Sequence, residues 1–153
     1  MVDIPWDQSK WIAMSSGFFL FPAYSFYLCN QYVLSSGLVV TSLVSMNYWC
    51  HVDFHSWRRT CDLVWAKIAF VIYMVTGFHS IYINGGTTEN ICSYLPLIAV
   101  TVGNYIMACR LAEKNMQNND WVVLHVLFHV LLAVQMQNVV NVVCYSRNIC
   151  SSP

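Results

Sequence analysis

The sequence predicts an all-α protein, one integral membrane domain over residues 1–153 built as a bundle of about five transmembrane helices, and three observations carry that prediction. Hydrophobic residues make up 58% of the chain and charged residues only 9%, against roughly a quarter charged in an average soluble domain. So few ionisable groups cannot cover the surface of a water-soluble domain of this length, whereas a bilayer-embedded one needs few. The apolar residues also gather into runs of about 20, the length that crosses roughly 30 Å of hydrocarbon. Short polar stretches separate these runs, as turns at a membrane surface require.

The first run, 11–29, carries no charge, and Pro22 inside it predicts a kink because a proline removes one helical hydrogen bond. Asn30 and Gln31 form a polar dip that suits a tight turn into a second uncharged run, 32–50, so the two make a hairpin. His51 to Thr60, with Arg58 and Arg59, reads as a polar loop. The third helix is expected over 61–78 with Asp62 in its first turn. At about 100° per residue, Ala66, Ala69, Tyr73, Thr76 and Ser80 fall within roughly 40° of Asp62, a small and polar face that should point into the bundle. Lys67 falls about 140° away.

His79 to Asn90, which contains Gly85-Gly86-Thr87-Thr88, reads as a loop by its turn chemistry. A fourth helix is expected over 91–111, with Pro96 near its first turns where the missing N–H costs least. Residues 113–120, EKNMQNND, form the next polar loop, and a fifth helix follows over 121–143. The tail, Cys144 to Pro153, is polar enough to leave the membrane.

Five spans put the two termini on opposite sides. Lys10, Arg58, Arg59, Lys67, Arg110 and Lys114 then share one side and only Arg147 lies on the other, so the positive-inside rule gives a cytoplasmic N-terminus and a lumenal or extracellular C-terminus. MVDIPWDQSK is acidic ahead of the first apolar run and no small-residue cleavage site follows it, which reads as a retained anchor. Of the seven cysteines, Cys50, Cys61 and Cys109 fall near the cytoplasmic face. Cys29, Cys92, Cys144 and Cys150 fall near the other, an even set able to pair in an oxidising compartment or to remain as free thiols. Net charge is zero and no basic run occurs, so nucleic acid is not an expected partner; membrane lipids and other membrane subunits are.

Polar groups inside spans are costly and usually functional, so their depths matter. Among Ser45, His51, His55, Asp62, His79, His125 and His129, all but His79 lie toward the cytoplasmic end. His125 and His129 are i and i+4, so both imidazoles face one way. Two histidines from one helix, a third from the loop at His51 and a water fixed by Asp62 describe an open zinc site, since Zn²⁺ favours imidazole and catalysis needs a free position. Asp62 would serve as general base or water-positioner and Ser45 would support it or an oxyanion. The same residues also have structural readings: an HxxxH pair hydrogen-bonding to neighbouring helices, an acidic helix start, and a small interface residue.

The ordered set Ser45, His51, Asp62 and His125-Val-Leu-Phe-His129-Val resembles the signature of the superfamily of alkaline ceramidases and adiponectin-receptor-type proteins. Those are seven-helix membrane proteins in which a second-helix serine and histidine, a third-helix aspartate and a last-helix HxxxH surround zinc. The resemblance covers two short segments and implies a zinc-dependent hydrolase of a long-chain lipid amide. It also implies a histidine four residues after the serine, where this chain has Trp49, and two more helices than this chain holds. Two other readings stand beside it. One is a non-catalytic small subunit or scaffold, suggested by Gln135, Gln137, Asn138 and Asn141, which lie largely opposite the histidine face of the fifth helix and need partners. The other is a haem held non-covalently by two histidines from different helices.

Overall fold

The computed structural model describes residues 4–53, 55–83, 88–115 and 118–150, with backbone alone at 88–93 and 145–150. In chain order it forms α1 (Trp6–Ser15), a 3-10 turn (Ser16–Phe19), α2 (Leu20–Leu28), α3 (Tyr32–Cys50), α4 (Trp57–Ile83), α5 (Thr88–Lys114) and α6 (Asp120–Cys150). The protein is an all-α bundle, and four of its helices, α3, α4, α5 and α6, are long and apolar enough to cross a membrane.

The expected first span is a helical path from Trp6 to Leu28 interrupted at Ser16–Phe19. Pro22 supplies the reason. It has no N–H to give the Phe18 carbonyl and its ring crowds that oxygen, so the turn before it tightens to 3-10 bonding. At the exposed start of this path, Lys10 bonds Asp7 at 2.6 Å and holds the Asp7 carboxyl below its usual range. The hairpin turn is built by Asn30, whose φ of 59° is left-handed. With Asn30 there, its N–H reaches the Tyr27 carbonyl at 3.0 Å and Gln31 N–H reaches that of Phe26 at 2.9 Å, a Schellman end. Asparagine tolerates this backbone better than any residue but glycine.

Three helices run beyond the bounds expected from sequence. The stretch from His79 to Ile83 continues α4 because it contains no helix breaker, and Ile81 is buried; the Gly85-Gly86-Thr87 part of the expected loop lies outside the described residues. Likewise α6 continues through the expected polar tail to Cys150. The α4 face also differs. Ala69 and Tyr73 are buried and Asp62, Thr76 and Ser80 half-buried, as expected, and Lys67 is exposed, but Ala66 is exposed too. The buried stripe holds Ala69, Tyr73, Met74, Gly77 and Ile81, where small residues let neighbouring helices approach closely.

Two apolar clusters stack along the bundle. One, toward the α2–α3 turn, holds Phe26, Leu38, Tyr73, Tyr94, Met136 and Val139. The other, where α1 and α6 begin and α3 ends, holds Ile12, Tyr48, Trp49, Trp121 and Val122. Gln8 Nε2 donates to Asn119 Oδ1 at 3.0 Å and ties those two helix starts together. At the opposite end a disulfide joins Cys29 to Cys144, one pair from the set expected to face an oxidising compartment; the side chains of Cys92 and Cys150 lie outside the described residues. Of the α6 amides, Gln137 accepts a bond from Ser25 at 3.1 Å and donates to Asn141 at 3.4 Å, whereas both amide atoms of the fully buried Gln135 have no hydrogen-bond partner among the described residues.

Candidate functional site: a polar layer between two apolar clusters

On α1, α3 and α6 the polar residues lie between the positions that feed the two clusters. Ser15 and Ser16 separate Ile12 from Phe19, Ser42 and Ser45 separate Leu38 from Tyr48, and His125 and His129 separate Val122 from Leu132. Ser15, Ser16, Ser42, Ser45 and His129 are all buried. Asp62, in the second turn of α4, completes the layer.

A hydrogen-bond pattern with one consistent set of donors runs through it. His129 Nδ1 lies 2.7 Å from Ser15 Oγ, and Ser15 donates to the Ile12 carbonyl at 2.9 Å. With the Ser15 proton on the Ile12 carbonyl, His129 carries its own on Nδ1 and leaves Nε2 as a lone pair; the other tautomer reverses the Ser15–His129 contact. Ser16 donates to Ser45 Oγ at 3.0 Å, and the Asp62 carboxyl lies beside Ser45. Ser42 donates to the Ser16 carbonyl at 2.9 Å. Two adjacent serines at the end of α1 and the start of the 3-10 turn thus connect α6 on one side with α3 on the other.

Rings enclose the histidines. His125 and His129 stand at 5.0 Å and 78°, and Phe19 and Phe128 flank His129 at 5.4 and 5.8 Å. Trp49 meets His125 edge-on at 5.0 Å and 66°. The Trp49 indole N–H is buried with no hydrogen-bond partner, and neither nitrogen of His125 has one among the described residues.

The structure therefore gathers four of the five site residues expected from sequence: Ser45 with Asp62, and His125 with His129. The fifth, His51, is exposed where α3 ends, because that helix runs through Cys50 and leaves His51 as its extended cap. His51 borders a shallow surface groove with Asp53, His55 and Arg58, in which Asp53 Oδ1 accepts the His55 backbone N–H at 2.9 Å. His79 is exposed near the far end of α4. Ser15 and Ser16 were not among the expected site residues. Their sequence signal is the Ser-Ser-Gly interruption of an apolar run, five to seven residues ahead of Pro22.

Zinc fits this donor set only in part. With its proton on Nδ1, His129 has the form a ligand takes, Nδ1–H donated to Ser15 and Nε2 open, and His125 stands beside it. A catalytic zinc needs a third protein ligand, and among the described residues no three His, Cys, Asp or Glu side chains gather to hold a metal. The place beside His125 is filled by the Trp49 ring, which has no lone pair to give. Among the described residues, these side chains do not supply the third ligand that a catalytic zinc needs. Haem needs imidazoles opposed from different helices, and these two stand side by side on α6. No family model, curated protein or solved structure matches the chain.

Proposed function

We propose that this chain is a non-hydrolytic integral membrane protein, a small subunit or scaffold of a membrane assembly, in which ceramidase-like polar positions lock helices together. The observation that carries the reading is Trp49 packed on His125, where the resemblance requires a metal ligand. Without a third ligand there is no activated water, and Asp62 and Ser45 have no nucleophile to position. What remains is a set of interhelical hydrogen bonds, each contributing about 0.6 kcal/mol on average inside a membrane. A second subunit is favoured by Asn141. It is exposed on α6 within the span Asp120–Cys144, and its amide N–H groups have no partner among the described residues. The six-to-one distribution of Lys and Arg orients the chain with its N-terminus in the cytoplasm.

Protein purified in mild detergent tests this through metal content, turnover of a long-chain lipid amide, and particle mass. The expected result is a particle larger than one chain, no stoichiometric zinc and no turnover, with zinc uptake gained in Trp49→His. About one equivalent of zinc in the natural chain, lost in His125→Ala and His129→Ala together with lipid-amide hydrolysis, overturns it.

A further inference from the structure

Among the described side chains, the bundle sorts its cysteines by end. Cys29 closes α2 at the Asn30 turn and is joined to Cys144, far along α6. The free thiols Cys50, Cys61 and Cys109 lie where α3 ends, where α4 begins and near the end of α5. Those three positions share one end of the bundle with Gln8, Asn119 and the Trp49–Trp121 ring pair, which join the starts of α1 and α6 to the end of α3. A 19-residue helix, α3, separates the two ends, about 28 Å at 1.5 Å per residue and close to the thickness of a hydrocarbon core.

We infer that the Cys29–Cys144 end of the bundle faces an oxidising compartment and that this bond is installed there by a thiol–disulfide oxidoreductase, while the His51–Arg59 end faces the reducing cytosol. The inference rests on the membrane reading but not on the count of basic residues, because disulfides persist where glutathione and thioredoxin do not reach them. In the step, one thiolate attacks the oxidoreductase disulfide and forms a mixed disulfide. The second thiolate of the chain then attacks the chain's own sulfur in that mixed disulfide and expels the oxidoreductase thiolate. Two thiols of the chain give up two electrons and two protons, and one disulfide of the oxidoreductase becomes a dithiol. The arrangement explains why, among the described cysteines, one end carries a cystine and the other three free thiols: each set matches the redox state of its own side.

The test uses the full chain in sealed membrane vesicles of known sidedness and a membrane-impermeant maleimide, with labelled peptides read by mass spectrometry. Before reduction, label is expected on Cys50 and Cys61 from the cytosolic side only and on neither Cys29 nor Cys144 from either side. In Cys29→Ser, Cys144 should become reactive from the opposite side alone. If that variant fails to accumulate, reducing the natural chain before labelling reads the same two thiols. Reaction of Cys29 and Cys144 without reductant, or from the cytosolic side after it, overturns the inference. Release of the chain by alkaline carbonate would instead overturn the membrane reading, so the two failures are distinguishable.

Discussion

Gly77 on α4 faces Tyr94 on α5 so closely that an added Cβ would stand 2.1 Å from the phenol oxygen, 2.7 Å from Cζ and 3.2 Å from Cε2. Ordinary contact needs about 3.5 Å, so Gly77→Ala forces a displacement of more than about 1 Å. Tyr94 has little freedom to yield. It is 2% exposed, its ring lies against Phe78 at 5.1 Å and 80°, and its hydroxyl points at Met74 Sδ at 3.7 Å. Overpacking of this kind costs about 1–3 kcal/mol, and the upper part of that range applies when neighbours cannot move. Replacing a helical glycine by alanine returns about 1 kcal/mol of helix propensity. The expected net effect is a loss of about 2 kcal/mol, measured by reversible unfolding in mixed detergent micelles. Gly103→Ala, on α5 with nothing within 4 Å of its added methyl, is the internal control and should gain up to about 1 kcal/mol from propensity alone. Adding Tyr94→Phe to Gly77→Ala removes the nearest atom but leaves Cζ in place, so it should restore only part of the loss. A Gly77→Ala protein as stable as Gly103→Ala would refute the reasoning.

Three further outcomes follow from the same geometry. Gly37→Ala should cost less than Gly77→Ala, because its added Cβ meets the Tyr73 hydroxyl at 2.8 Å with Cζ at 3.8 Å; ranking the two in one unfolding series checks it. Ser15→Ala and His129→Ala should each destabilise by about 0.6–1.7 kcal/mol and the double variant by less than their sum, the coupling that a double-mutant cycle reads for one shared hydrogen bond. Asn30→Ala should cost about 1 kcal/mol or more for its left-handed backbone and Asn30→Gly much less, and equal losses would show that the turn does not depend on that angle.

The helices were legible because hydrocarbon thickness imposes run lengths that composition displays directly. The depth of the polar layer was legible for the same reason: Ser45, Asp62, His125 and His129 each sit a countable number of residues from a polar loop. Rotation about each helix was less so. Ala66 shares a stripe with Asp62 and Ala69 by angle, yet it is exposed while Ala69, Tyr73, Met74, Gly77 and Ile81 are buried, since the placement of neighbouring helices and not the angle from Asp62 sets which face packs. His51 was lost by a single residue. Whether it sits on a helical face or on a cap depends on where α3 stops, and nothing in Tyr48-Trp49-Cys50-His51 stops a helix before Cys50. The role of Ser15 and Ser16 could not be read from position alone, because small hydroxyl residues in apolar helices often bond only to their own backbone. Contact with His129 and Ser45 required knowing that the first helix lies between α3 and α6.

The bond between Cys29 and Cys144 also decides how the chain would answer a pull on its two ends. Tension entering at the N-terminus passes from Cys29 straight through the sulfur atoms to Cys144, bypassing a loop with a sequence separation of 115 residues. Helices α3, α4 and α5 and most of α6 would bear no load. At about 3.3–3.6 Å per extended residue, the oxidised molecule withholds roughly 400 Å of contour that the reduced one would release. Only the broken first helix and the end of α6 lie in the line of force.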